Sequence, residues 1–144
     1  MNVSQILRSK ANHDVVTLSP DALVKDVAKL LSEKRIGTVV ISADGNRPDG
    51  ILSERDIVRE LGTRGPDCLQ QTAREMMTAD PVTCAPTDTA DGVLETMTVG
   101  RFRHVPVIED GRMIGLISIG DVVKARLSEL SMEKDALEGM IMGH

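Results

Sequence analysis

The sequence predicts an α+β fold made of two tandem βαββα repeats, packed with pseudo-two-fold symmetry through their sheets. Three observations carry that prediction. The first is an internal repeat: Val16-Thr17-Leu18-Ser19-Pro20-Asp21 aligns with Val82-Thr83-Cys84-Ala85-Pro86-Thr87 at an offset of 66. The same offset pairs Leu31 with Met97, Arg35 with Arg101, Val39 with Val105 and Asp44-Gly45 with Asp110-Gly111. The second is a pair of apolar runs flanking each Asp-Gly, a hairpin signal. The third is a strand-to-helix junction closing each copy, at residues 50–58 and 115–123, where the offset becomes 65 and pairs Ser53 with Ser118 and Asp56 with Asp121.

Each element follows from local chemistry. Val15–Leu18 is short and β-branched, as a strand is. Ser19 can cap the next helix, and Pro20 suits its first turn. Leu23, Val27, Leu30 and Leu31 then form one apolar stripe, repeated by Ala90, Val93, Leu94 and Met97. Thr38-Val39-Val40-Ile41 and Ile51-Leu52 flank the turn of copy one, and Val105-Pro106-Val107-Ile108 and Ile114–Ile117 flank that of copy two. Glycines and a proline in residues 62–67 mark a loop. Thr72-Ala73-Arg74-Glu75 has the pattern of a capping box opening a short helix, and Ile6-Leu7 is placed to do the same ahead of copy one. The expected organisation is an N-terminal segment (1–14), repeat 1 (15–61), a linker with a short helix (62–80), repeat 2 (81–127) and a helical tail (128–144). Each copy alone is small for a closed core, so the two are expected to bury apolar surface together. In the tail, Leu127, Leu130, Lys134, Leu137 and Ile141 follow seam spacing over two heptads. That fits either a helix packed on its own domain or one that pairs with a second subunit.

Composition narrows the function classes. The chain has 144 residues and a net charge of −5, against a general nucleic-acid surface, which needs a basic face. No apolar run is long enough to span a membrane, and the first residues lack the apolar stretch of a secretion signal, so a cytoplasmic address is expected. Cys68 and Cys84 stand at no metal-ligand spacing and read as reduced thiols. With no Trp or Tyr and one Phe, a bound base would lie between aliphatic side chains.

The repeated pattern Val-Thr-x-x-Pro, then Arg-His-Val-Pro-Val (Arg103–Val107), then Gly-Leu-Ile-Ser-x-x-Asp (Gly115–Asp121) resembles the CBS domain. Two in tandem resemble a CBS pair, or Bateman module, of the small stand-alone kind. The resemblance implies binding of adenosine-containing ligands in clefts between the repeats, AMP, ADP or ATP first and NAD(H) or S-adenosylmethionine beside them. It also implies a homodimer in the form of a flat four-repeat disc. By the same resemblance Thr17, Thr38, Val39 and Val40 of copy one, and Thr83, His104, Val105 and Pro106 of copy two, line the base cleft, with Val39 and Val105 covering the base faces.

The residues themselves support a related chemistry. A helix N-terminus offers unpaired amides and partial positive charge to a phosphate, and Ser53 or Ser118 adds a hydroxyl there. Asp56 or Asp121, one turn in, can accept both hydroxyls of a ribose diol. Ser-x-x-Asp is equally a capping box that needs no ligand; its duplication in the recognised pattern favours ribose. Arg101, Arg103 and His104, with Arg55 and Arg35, are the phosphate candidates, although a solvated surface is the commoner place for any one Arg. Copy one has Glu54-Arg55 where copy two has Ile119-Gly120, so the two sites need not bind alike.

Three functions are in play. The first is a non-catalytic regulatory module that binds an adenosine nucleotide and changes its dimer or partner packing. The second is a protein-interaction scaffold with degenerate clefts. The third is an enzyme, for which the sequence offers no nucleophile–base pair, metal set or paired carboxylates. No catalytic cofactor is expected.

Overall fold

The structure, a computed structural model, describes residues 1–10 and 14–142. The chain divides into two compact units, one per copy. The parts of the expected N-terminal segment and tail at 11–13 and 143–144 lie outside the described residues.

The copy-one unit comprises Asp14–Val82 with the hairpin tip Asp110–Ile114. Its elements are β1 (Thr17–Leu18), α2 (Val24–Lys34), β2 (Thr38–Ile41), β3 (Gly50–Ser53), α3 (Glu54–Arg64), a 3-10 turn at Pro66–Gln70, α4 (Ala73–Met76) and β4 (Thr78–Ala79); the label α1 belongs to the N-terminal Val3–Ser9. The sheet order is β1-β2-β3-β4: β1 runs parallel to β2, and the other neighbours are antiparallel. Val24, Val27 and Leu31 of α2 close the core over Val39, Ile41 and Leu52 of the sheet. The expected stripe is thus present, shifted so that Val24 rather than Leu23 leads it.

The shift has a cause in the capping. Ser19 does not cap α2: its hydroxyl accepts from the Asp21 amide inside its own turn, and the helix begins only after Leu23, which gives no side-chain cap. Thr72 precedes α4 as expected but makes no capping bond either, so the capping box read at 72–75 does not form. The Leu23–Thr72 bridge instead ties α4 to α2, and the Ala73 and Arg74 amides donate to the carbonyls of Ala22 and Pro20.

The copy-two unit comprises Thr83–Glu109 and the chain from Gly115 onward, together with the N-terminal segment. It contains α5 (Ala90–Gly100), the hairpin β5 (His104–Glu109) and β6 (Arg112–Ser118), and α6 (Ile119–Ile141). Asp110 and Gly111, both with positive φ, make the two-residue hairpin turn that the Asp-Gly signal foretells. The counterpart of β1 shrinks to one parallel bridge, Cys84 to Val107, and Thr83 is exposed. The Cys84 thiol is buried, and burial, aided by the Asp88 charge, pushes its pKa up to about 12.

Helix α1 was expected to open copy one, but it packs into copy two. Val3, Ile6 and Leu7 join the core of Val93, Met97, Val105, Val107, Ile117 and Val122. The Val3 and Ser4 amides donate to the carbonyls of Asp88 and Pro86. The two short helices therefore trade places: α4 precedes copy two and serves copy one, while α1 precedes copy one and serves copy two. A Cβ at Gly115 would meet Leu7, and one at the equivalent Gly50 would meet Met77. Each glycine thus marks where the traded segment presses on the last strand.

The tail is one continuous helix, as expected. Val122 and Ala125 are buried, whereas Leu127, Leu130, Leu137 and Ile141 are exposed. No helix among the described residues is long and apolar enough to cross a membrane.

Candidate functional site

Both junctions fold as the sequence spacing demands. Each strand runs out of the sheet at a serine in extended conformation, and the next residue starts a helix. In copy two the Ser118 hydroxyl accepts from the Asp121 amide, and Asp121 Oδ2 accepts from the Ser118 amide at 2.9 Å. In copy one Ser53 and Asp56 make the same reciprocal pair, and the Ser53 hydroxyl also donates to Asp56 Oδ2. The structural reading of Ser-x-x-Asp is thus realised twice.

The box changes what each helix mouth has left to offer. A helix begins with about four amides lacking an intrahelical partner. In copy two, Ser118 and Asp121 satisfy each other's amides, and the Ile119 amide donates to the Arg103 carbonyl at 2.8 Å. The Gly120 amide remains. In copy one the Glu54 amide donates to the Gly37 carbonyl in the same way, and the Arg55 amide remains. Among the described residues each mouth therefore presents one amide without a partner, fewer than the sequence alone suggests, and in copy two it belongs to a glycine.

The two acids differ in what else they carry. Both Asp56 oxygens are engaged: Oδ2 by Ser53, and Oδ1 by Arg59 at 2.9 Å, one turn along the same helix. Asp121 Oδ2 takes the Ser118 amide and the Lys10 ammonium, the latter at 2.9 Å from the end of α1. Asp121 Oδ1 has no bond among the described residues. Burial acts to raise the Asp121 pKa, but the Lys10 hydrogen bond and the Ser118 amide outweigh it and hold the carboxyl below its usual value. The acid is ionised near neutral pH, with one oxygen free to accept.

Around these acids the expected lining is assembled unevenly. In copy one, Thr38 is the cross-strand partner of Ser53, and Thr17 lies beside Val40 across the parallel pair. In copy two, Arg103 adjoins the junction through its carbonyl, and Pro106 accepts from the Cys84 amide next to Thr83. His104 is partly buried; burial lowers its pKa, the Asp121 charge acts the other way, and Lys10 and Arg103 add to the lowering. The lowering works against the cationic role expected of it. Val39 and Val105 correct the expectation too: both are core side chains with no face left for a base. Val40 and Pro106 lie on the opposite face of their strands, equally buried but outside those clusters.

The remaining cations lie further off. Arg35 and Arg101 are left-handed C-caps of α2 and α5, both exposed. Arg35 lines a groove of about 570 Å³ between α2 and α3, with Leu31, Ile36, Glu54 and Val58. Glu54, Ile57 and Val58 of the junction stretch and Gly37 beside it line this groove, but Ser53, Arg55 and Asp56 do not. Arg55 is exposed at the first turn of α3. Sequence reasoning missed Lys10 and Arg59. Arg59 was findable as an i,i+3 partner of Asp56, whereas nothing local to Lys10 points 111 residues ahead to Asp121. Among the described residues no cluster of His, Cys, Asp and Glu could hold a metal ion.

The CBS-domain profile matches residues 3–63 and 73–128, nearly the whole chain. The chain belongs to the CBS-domain family. It is 47% identical to the CBS-domain containing protein ATU1752 of Agrobacterium tumefaciens, whose crystal structure superposes with a TM-score of 0.80 over 87% of this chain and 92% of that one. The CBS domain protein PAE2072 of Pyrobaculum aerophilum, solved complexed with AMP, is 30% identical with a TM-score of 0.76 over 92% and 99%. The mitochondrial CBS domain-containing protein CBSX3 of Arabidopsis thaliana is 31% identical, over 98% of this chain and 72% of its own. The tandem CBS pair and its α+β class thus stand on sequence, structure and relatives together.

Proposed function

We propose that this CBS pair is a non-catalytic regulatory module that binds an adenosine-containing nucleotide, with copy two the stronger site. The observation that carries the reading is the Asp121 carboxylate: ionised, held by Ser118 and Lys10, and with Oδ1 open at a helix mouth. In this reading Asp121 accepts the ribose hydroxyls, and the Gly120 amide and Ser118 receive the phosphate at the positive end of α6. The backbone around His104 and Pro106, beside Thr83, reads the base. Arg103 adds charge from the rim. Copy one offers Thr17, Thr38, Val40, Ser53, Arg55 and Asp56 in the same roles, but with both acid oxygens already taken. The relative complexed with AMP supports AMP, ADP or ATP as the first ligands to test, with NADH and S-adenosylmethionine after them.

The test is titration calorimetry of the parent, Asp56→Ala and Asp121→Ala with each ligand. Asp121→Ala is expected to weaken AMP at least tenfold, the worth of one or two hydrogen bonds to a charged group, and Asp56→Ala to weaken it less. A parent that binds none of the ligands at millimolar concentration would end the reading. Mass spectrometry of small molecules released from the denatured protein checks the ligand class independently.

A second reading, an interaction module, is favoured by the apolar residues that α6 leaves exposed beyond Ala125. It assigns Leu127, Leu130, Leu137 and Ile141 to a second copy, in keeping with a homodimer, or to another protein. Light scattering on Leu130→Asp/Leu137→Asp against the parent tests the first case: an unchanged mass rules out a dimer built on the tail.

A further inference from the structure

Among the described residues, Lys10 is the one cation that reaches a junction acid from outside that acid's own helix. It is the C-cap residue of α1, and its ammonium makes two contacts, to Asp121 Oδ2 and to the Leu116 carbonyl of β6, each at 2.9 Å. The side chains of Lys10 and Asp121 are only about a quarter exposed, at 26% and 23%. An ammonium has three donors, and the third has no partner among the described residues. Copy one has nothing equivalent: Asp56 is bridged from its own helix by Arg59, whose side chain is 63% exposed.

The two anchors have different consequences. The Leu116 carbonyl belongs to the strand and stays in place whatever binds. The bond to Asp121 is one that a ribose can share, because Asp121 keeps Oδ1 open. A phosphate arriving at the mouth of α6 meets the Asp121 charge a few ångströms away, and like charges at that range in a half-buried site repel strongly. Lys10 cancels that charge and has a proton left to donate. An uncharged nucleoside has no such repulsion to overcome and gains little from the ammonium.

We propose that Lys10 is a specificity-determining residue of the copy-two site, selecting adenosine ligands that carry a phosphate over the nucleoside itself. This rests on the nucleotide reading above and goes further: it assigns the phosphate preference to a residue outside the repeat that holds the rest of the site.

The experiment is calorimetry with adenosine and with AMP on the parent, Lys10→Met and Lys10→Arg, each checked for folding by circular dichroism. Lys10→Met is expected to weaken AMP about tenfold to a hundredfold, as for the loss of a charged hydrogen-bond partner, and adenosine less than about threefold. Lys10→Arg is expected to keep most of the preference. A Lys10→Met that loses both ligands equally, or neither, overturns the proposal and leaves a structural tether. Should Lys10→Met not fold, the parent answers: its Lys10 side-chain NMR resonance, assigned with Lys10→Arg, is expected to shift more with AMP than with adenosine. An equal shift with both ligands, or none, overturns the proposal. A parent that binds neither ligand brings down the nucleotide reading and this inference with it, whereas equal affinity for the two brings down this inference alone.

Discussion

The Ser53–Asp56 and Ser118–Asp121 junctions are built from one duplicated motif, and they end in different chemical states. Both close the same capping box. In copy one a cation, Arg59, comes from the next turn of the same helix, and the flanking residues are Glu54 and Arg55. In copy two it comes from α1, and the flanking residues are Ile119 and Gly120. The first acid has both oxygens engaged; the second keeps one without a partner among the described residues and stands beside a glycine amide. A repeated motif fixes the local geometry of a site, while residues far along the chain decide what it has to offer.

The comparison can be tested by removing what is particular to each side. The largest effect is expected from Ile6→Ala. Ile6 is 2% exposed in the copy-two core, and truncating a buried isoleucine costs about 2–5 kcal/mol. Amide exchange should show the loss of protection in β5, β6 and α6 while β2 and β3 keep theirs. If both copies loosen equally, α1 is not the private element of copy two.

Next comes Asp121→Ala, which removes a capping acceptor and strands Lys10 in a partly buried place. A cost of about 2–3 kcal/mol in chemical denaturation is expected, against about 1 kcal/mol for Asp56→Ala, whose partner Arg59 returns to solvent. Equal costs would erase the distinction drawn here.

A pH series sharpens the same point. The folded pKa of Asp121 is depressed, so the unfolded chain binds more protons as pH falls through the carboxylate range. The stability it contributes is fully present above the ordinary value of 3.8 and is lost as pH falls through the lower folded value. The advantage of the parent over Asp121→Asn should hold at neutral pH and vanish at the acid end of a denaturation series. The smallest effect is expected from Arg59→Ala, at most about 0.5 kcal/mol, because the pair it breaks is exposed on the arginine side.

Much of this was legible in the sequence. Apolar runs flanking Asp44-Gly45 and Asp110-Gly111 pointed to both hairpins; Asp110-Gly111 makes the tight turn, whereas Asp44-Gly45 sits inside a longer loop between Ile41 and Gly50. The doubled Ser-x-x-Asp gave both junctions, and the absence of proline gave α6. The failures are of two kinds. Ser19 and Thr72 have the right side chains for caps, but a cap depends on where the backbone enters the helix, and Ser19 spends its hydroxyl on the turn before it. Val39 and Val105 were assigned to a base because family likeness points at the strand; which face of the strand meets the core is decided by α2, α5 and α1. The traded helices and the Lys10–Asp121 pair were out of reach, since both depend on long-range contacts with no local pattern.

The exchange of short helices has a consequence for synthesis. Val3, Ile6 and Leu7 leave the ribosome well before the strand they press against, which has Ile117 at its heart and follows more than a hundred residues later. At about 5–20 residues per second that is a wait on the order of ten seconds. During it that segment carries a greasy face with nothing to cover it, whereas the sheet and helices of copy one all end by Ala79. Copy one can therefore close early, while copy two must reach back more than a hundred residues to finish.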